Sequence, residues 1–414
     1  MTPAKNTARD TADDRAKNTT VDTTTTTTMD TAKDTAKDTA ARRIRTAGDQ
    51  LVDLSHRIHA HPELAFEEHL ASRWVAEALS DAGFDVRHGC YGLPTAVSAT
   101  IGNGPTHIAF CAEYDALPEI GHACGHNIIA AAAVGAGLGL APLADELGLT
   151  VHVLGTPAEE GGGGKILMLE QGAFDGLHAA MMVHPAATES AAMPGLAVTQ
   201  FDVAYRGKPA HAGAYPELGV NAADAMTLAQ VGVALLRQQT APDQRISGIS
   251  TEAGSAPNII PDVSRGRWLV RTDSLDTLRP LARRVHRCFE AGALATGCEL
   301  TTSPVSPDYA DLRPDQDMLT RWVANATALG RSFPHLANGV AGASTDMGNV
   351  SHVVPTIHPM LGLDCYPAVN HQPEFTAACI TPTADRAVLD GAIAMAWTAI
   401  DTAAAASNTE GEAT

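Results

Sequence analysis

Thr106-His-Ile-Ala-Phe-Cys-Ala112 reads as a strand, a helical stretch follows from about Asn127 to Leu140, and Thr150-Val-His-Val-Leu-Gly155 reads as the next strand. That alternation decides the fold class. Upstream, Thr95-Ala-Val-Ser-Ala-Thr-Ile101 has the same character; downstream come a helix near Lys165 to Glu170 and a buried strand, Ala179-Ala-Met-Met-Val183. Strands alternating with helices point to an α/β fold, in which a mostly parallel sheet lies between helical layers.

Past about Pro194 the rhythm changes. Ala197 to Tyr205 alternates as a half-buried strand, 219–239 is helical, and Arg245 to Thr251 and Ser264 to Thr272 are strands. Residues 275–296 are helical again, and Glu299 to Ser303 is a last strand. This strand–helix–strand–strand–helix–strand order is that of a ferredoxin-like α+β unit. It sits in the middle of the chain, so it is read as an insertion, with the chain returning near Asp308 to add covering helices at 319–329 and 385–400.

The expected division is therefore a main domain in two parts, 43–193 and 308–404, interrupted by an inserted unit at 194–307. Ahead of it, residues 1–42 are Thr, Ala, Asp and Lys, too poor in apolar surface to offset their ordering entropy, and are expected to be disordered. A flexible tail is expected at 405–414. From Arg43 a helical period begins, with Leu51, Leu54 and Ile58, then Leu70, Trp74 and Leu79 beyond His61-Pro62.

With 414 residues, the chain exceeds what one core usually supports. The 47 acidic and 28 basic side chains give a formal charge of −19, which argues against nucleic-acid binding. No apolar stretch is read as reaching the roughly 18 residues of a membrane span, and residues 1–25 carry no secretory apolar segment. Seven scattered cysteines suit reduced thiols in a cytoplasm better than a disulfide framework.

The chemistry gathers after the strands, where open α/β sheets place their ligands. Gly121-His-Ala-Cys-Gly-His-Asn127 packs a thiol and two imidazoles into one tight turn, a poor core and a good site for a zinc-like ion. Asp115 lies just before it. Glu159 and Glu160 follow the 150–155 strand inside Thr-Pro-Ala-Glu-Glu-Gly-Gly-Gly-Gly, His184 follows the 179–183 strand, and His371 sits in Asn-His-Gln-Pro-Glu-Phe. Adjacent carboxylates diverge, so one of the pair can ligate a metal while its neighbour handles a proton.

These pieces resemble the metal-dependent amidohydrolases of the aminoacylase/carboxypeptidase superfamily, and within it the branch of p-aminobenzoyl-glutamate hydrolase and aminoacylase-1-like dipeptidases. The matching segments are His59-Ala-His-Pro-Glu-Leu-Ala-Phe-Glu-Glu68, Ala112-Glu-Tyr-Asp-Ala-Leu-Pro118, the Cys124 turn, Thr156-Pro-Ala-Glu-Glu160, Gly207-Lys-Pro-Ala-His211, Pro257-Asn-Ile-Ile-Pro261, Ser344-Thr-Asp-Met-Gly-Asn-Val-Ser-His352 and Asn370-His371. They run in family order from about 45 to 400.

The resemblance implies two divalent ions per subunit, zinc first, with manganese or cobalt as alternatives. Cys124 would bridge the ions, Glu160 and His371 would complete one set of ligands, and His126 and His184 the other. Glu159 would be the base toward a metal-bound water and later the acid toward the leaving amine; Asp115 would orient a ligand. His211 would reach a neighbouring subunit's site and stabilise the oxyanion, which requires a homodimer through the inserted lid. Asn258 and Arg271 would hold a substrate carboxylate. His122 is given a supporting role, and Glu113, where other relatives place a histidine, is left unassigned.

The expected activity is hydrolysis of an amide bond in small N-acyl amino acids, aminobenzoyl-glutamate-like compounds or dipeptides. The Ser344–Ser351 loop favours the aminobenzoyl-glutamate/dipeptidase side. The alternative is a catalytically inactive metal-binding or regulatory protein on a hydrolase scaffold, and the presence of Glu159 argues against it.

Overall fold

The computed structural model describes residues 23–333 and 343–412, with side chains from 33 to 333 and from 343 to 406. The chain begins with three helices, α1 (Thr23–Thr46), α2 (Gly48–Ala60) and α3 (His69–Asp81). Then come β1 (Asp85–His88), β2 (Val97–Ile101), β3 (Thr106–Glu113), α4 (His126–Leu140), β4 (Leu149–Thr156), α5 (Gly164–Glu170), β5 (Ala179–Met181) and β6 (His184–Ala186). The middle of the chain supplies β7 (Ala197–Arg206), α6 (Ala222–Arg237), β8 (Arg245–Glu252), β9 (Val263–Thr272), α7 (Leu275–Thr296) and β10 (Glu299–Pro304). The return adds α8 (Gln316–Ala328), α9 (Met347–Ser351), β11 (Thr356–Ile357), β12 (Met360–Gly362), α10 (Pro373–Ala378) and α11 (Pro382–Glu412).

The main sheet has the order β1-β2-β4-β3-β5-β11. From β4 to β11 every pairing is parallel, while β2 and β1 run antiparallel at one edge. Alternate residues of each parallel strand enter different cores. Ile108, Phe110 and Ala112 of β3 join one built with α1, α2, α4 and α11, whereas Ala109 and Cys111 join another with Met168 of α5 and Met347 and Val350 of α9. A strand covered on both faces needs no polar side, which explains the unbroken apolar runs. The parallel strands β3, β4 and β5 end at the same edge of the sheet, and the loops leaving that edge carry the site.

The middle segment forms a four-stranded antiparallel sheet, β10-β7-β9-β8, with a core of its own that includes Phe201, Tyr205, Met226, Trp268, Val285 and Phe289. With α6 and α7 packed on it, the topology is ferredoxin-like.

Three expectations need correction. The disorder expected over 1–42 fails from residue 33 onward, where α1 is a packed helix. Its Ala36, Ala40, Ala41 and Ile44 form a narrow buried stripe against α4 and α11. Lys37 Nζ donates to Asp401 at 2.7 Å and to Asn325 at 2.9 Å, anchoring that stripe at its rim. Small residues at helical spacing supply the burial, and the Thr, Asp and Lys between them mask it. Residues 1–22 lie outside the described residues. Second, α11 runs on to Glu412, so the tail expected at 405–414 continues a helix through its alanine-rich run; 413–414 lie outside the described residues. Third, His126–Leu143 and Pro382–Ala406 do reach the length and apolarity of a membrane span. Both are mostly buried core helices of this fold, apolar all round because other elements surround them.

Candidate metal centre

The 121–127 turn joins β3 to α4. Gly125 caps α4 at φ +76°, and a Cβ there would lie 2.4 Å from Cγ of Pro185. Only glycine lets the turn press onto β6, the strand that begins with His184. As a result Cys124 Sγ stands 3.6 Å from His184 Nε2. From the other end of the chain, the backbone N–H of His371 donates to the Ala123 carbonyl at 2.9 Å, and its Nε2 stands 3.6 Å from the same sulfur. His371 takes φ +68°, an uncommon backbone for a non-glycine residue, of the kind that costs about 1–3 kcal/mol and persists where the surroundings enforce it.

The loop after β4 is held just as firmly. Ala158 sits at φ +58° with its N–H donated to buried Glu68 Oε1 at 2.9 Å, and the Tyr309 hydroxyl donates to the Glu159 carbonyl at 2.7 Å. Glu160 N–H donates to Asp115 Oδ2 at 3.0 Å, and Glu160 Oε2 lies 3.4 Å from His371 Nε2. Asp115 Oδ1 accepts from His126 Nδ1 at 2.9 Å, fixing that ring with Nε2 facing inward.

Ligand-type atoms within 4.8 Å of one another fall into four overlapping groups: Cys124, His126 and His184; Cys124, Glu160 and His371; His126, Glu159 and Glu160; and Glu113, Glu159 and Asp346. The first two share the Cys124 sulfur. His126 Nε2, Glu113 Oε2 and Glu160 Oε1 are buried with no hydrogen-bond partner among the described residues. Buried lone pairs left facing one another, in a thiol, imidazole and carboxylate donor set, fit divalent cations of the zinc type.

The electrostatics say the same. Burial, then the Glu160 carboxylate, pushes the Cys124 thiol well above its usual range, so a thiolate there needs a cation. Glu159 is also pushed well up, by burial and then by the Glu113, Glu160 and Asp346 carboxylates. Burial opposes ionisation of Asp115 too, but the His126 charge, its hydrogen bond and the backbone N–H groups of Glu160 and Glu159 hold it low. Against burial, Asp115 raises His126 well above an ordinary imidazole. His371 is raised by its hydrogen bond to Glu160, while Arg271 is among the charges that lower it. Arg271, half-buried on β9, therefore projects its charge into this cluster.

Of the ten residues singled out from the sequence, Cys124, His126, Glu159, Glu160, His184, His371 and Asp115 converge here. His211 and Asn258 do not; both are exposed on the inserted unit, and among the described residues no hydrogen bond or ion pair joins either to the cluster. His211 Nδ1 instead accepts from the N–H groups of Gly213 and Ala214. His122 is buried beside His59, with ring centroids 6.1 Å apart.

The structure adds residues that the sequence alone did not single out. Lys165, fully buried, places Nζ 2.5 Å from Glu113 Oε1 and 2.7 Å from Asp346 Oδ1. His358 stacks on His184 at 5.3 Å and is kept neutral by burial, then by His184, which together lower it to about 3. The available signal was a lone lysine leading the apolar run Ile166-Leu-Met-Leu169, a position where a charge has to find an internal partner.

Residues 109–387 match the model of peptidase family M20/M25/M40. The chain is 41% identical to the Xaa-Arg dipeptidase of Mus musculus over 382 residues, covering 87% of this chain and 88% of that protein. It is 33% identical to one of the p-aminobenzoyl-glutamate hydrolase polypeptides of Escherichia coli, over 59% of this chain and 55% of that one. Among solved structures, an aminohydrolase from methicillin-resistant Staphylococcus aureus superposes with a TM-score of 0.72 at 20% identity, over 88% of this chain and 99% of that one. A dinuclear metal binding peptidase of the M20 family from Bacillus subtilis gives 0.64 at 21% identity, over 86% and 99%. Matched over two thirds of its length by the family model, the chain belongs to peptidase family M20/M25/M40 and is a hydrolase of amide bonds.

Proposed function

We propose that the protein holds two divalent ions per subunit and cleaves the amide bond of dipeptides and small N-acyl amino acids. The observation that carries this reading is the pair of ligand groups sharing one buried sulfur, with a carboxyl of raised proton affinity beside them. Cys124, Glu160 and His371 would hold one ion, and Cys124, His126 and His184 the other. Zinc suits the thiolate–imidazole set best, with manganese or cobalt as alternatives. Ions at this position supply Lewis-acid polarisation of the scissile carbonyl and a water of lowered pKa.

The chain's own groups do the rest. Glu159, beside the cluster and with its proton affinity raised by burial and its carboxylate neighbours, takes a proton from the attacking water and returns it to the leaving nitrogen. Asp115 holds His126 in one tautomer and orientation. Arg271 offers a guanidinium to the substrate's carboxylate, a planar two-oxygen acceptor that suits its fork, and Asn258 assists from the same inserted unit. His211, remote from its own site, serves the partner's site in a homodimer and stabilises the oxyanion there.

Among substrates, dipeptides come first. The dipeptidase relative aligns along nearly the whole chain, and Xaa-Arg is what its name specifies. The aminobenzoyl-glutamate relative aligns over a shorter span. The seven cysteines are all free thiols, which supports a reducing, cytoplasmic setting.

The test is a screen of metal-stripped protein reloaded with zinc, manganese or cobalt against dipeptides including C-terminal arginine, N-acyl amino acids and aminobenzoyl-glutamate. Hydrolysis of at least one dipeptide or N-acyl amino acid is expected. Intact metal binding without turnover on any of them contradicts the reading.

A further inference from the structure

Glu113 ends β3, one residue short of Tyr114 and two short of Asp115, and is completely buried. Its two oxygens live in different surroundings. Oε1 accepts from Lys165 Nζ at 2.5 Å, and the same ammonium binds Asp346 Oδ1 at 2.7 Å, so this side of the carboxylate is fully used. Lys165 N–H donates to Asp346 Oδ2 at 2.8 Å, which locks the clamp to the first turn of α5. Oε2 has no hydrogen-bond partner among the described residues, yet it lies 3.4 Å from His126 Nε2.

That second contact decides the matter. A carboxylate can only accept, so the 2.9 Å bond from His126 to Asp115 puts the ring hydrogen on Nδ1. Without metal the surrounding carboxylates favour a second proton on Nε2; an ion that displaces that proton meets a bare Nε2 lone pair. Facing it are Glu113 Oε2 at 3.4 Å, Glu160 Oε1 at 3.8 Å and Glu159 Oε2 at 3.9 Å. Lone pairs aimed at one another in a dry site repel unless something positive stands between them. Lys165 is spent on the far side of the carboxylate and does not reach between them.

We propose that Glu113 Oε2 is a further ligand to the ion held by His126, with Lys165 as the positioning residue that turns this oxygen toward it. The inference rests on the two-ion reading above and adds a carboxylate to it. It divides the labour between the two Glu113 oxygens: one is neutralised by a tethered ammonium, the other is kept for the metal. Because Glu113 sits at the end of a central strand, its reach is set by the sheet and not by a mobile loop.

The experiment is a crystal structure of the full-length protein soaked with zinc, with ion positions fixed by anomalous scattering. The expected result is an ion within about 2.2 Å of both Glu113 Oε2 and His126 Nε2. An ion on Cys124 and His126 with Glu113 Oε2 more than about 3 Å away overturns the inference and leaves the two-ion reading standing. No ion at Cys124 or His126 removes that reading itself. Titration calorimetry with zinc alone gives the energetic counterpart: Glu113→Gln weakens one of the two binding steps by about tenfold or more and spares the other. Glu113→Asp, which keeps a charge for Lys165 but shortens the reach, weakens the same step if the glutamine variant fails to fold. Affinities within about threefold of wild type in either folded variant contradict the proposal.

Discussion

His371 Nε2 stands 3.6 Å from Cys124 Sγ, across 247 positions of sequence. The sulfur is equally far from His184 Nε2, so a single buried thiol ties the 121–127 turn to both β6 and the returning segment. If that sulfur is the bridge, Cys124→Ala loses both ions and not one. Elemental analysis of the purified variant is expected to fall from two ions toward none. Saturating zinc, at about a thousand times its dissociation constant, is expected to stabilise the wild type by about 4 kcal/mol and to leave the variant's melting temperature unmoved.

Gly125 makes the turn possible. An alanine there meets both a left-handed backbone and Pro185, and Gly125→Ala is expected to cost about 2–4 kcal/mol. Denaturant unfolding of the metal-free protein measures this loss, and zinc titration should show weaker binding in the same variant. An unchanged unfolding midpoint would mean that the turn does not press on β6 as described.

The proposed dimer predicts complementation. Glu159→Gln and His211→Ala homodimers should each be poorly active, but a hybrid dimer contains one site with an intact Glu159 and a partner's intact His211. Mixing the two variants, with subunit exchange confirmed by mass spectrometry, is expected to restore turnover. Equal silence before and after exchange would confine His211 to its own subunit.

Far from the site, His152 on β4 is held down to about 4 by burial and then by His107, whose Nδ1 lies 3.1 Å from its Nε2. In the unfolded chain the same ring titrates near 6.5. Between those values the unfolded state binds the extra proton, so stability falls as pH drops from 6.5 toward 4, by up to about 3 kcal/mol. Above 6.5 the effect is gone. His152→Gln should lose less stability than wild type between about pH 7 and pH 5; parallel losses would place the acid sensitivity elsewhere.

What the sequence disclosed follows from locality. The runs around Ile108, Val153 and Ala180 are apolar on both faces because helices cover both, and that property is written in consecutive residues. The seven clustered ligand-type residues were legible because each follows a strand or stands in a compact turn. The helix α1 was hidden: its buried Ala36, Ala40, Ala41 and Ile44 form a thin stripe in a segment whose overall composition is polar. Lys165 was hidden for another reason. The apolar run behind it hints at burial, but its partners lie 52 and 181 positions away, and nothing local says which carboxylates they are. His211 and Asn258 lie exposed on the inserted unit, away from the cluster, and nothing in their local sequence shows this.

The central claim is that Glu159 moves the proton while its neighbours hold the ions. Turnover and metal content of zinc-loaded Glu159→Gln, measured on one preparation with the best dipeptide substrate, test it most directly. The expected result is two ions retained and kcat reduced by about 10²–10⁴. Turnover within about tenfold of wild type, at full metal content, would contradict it.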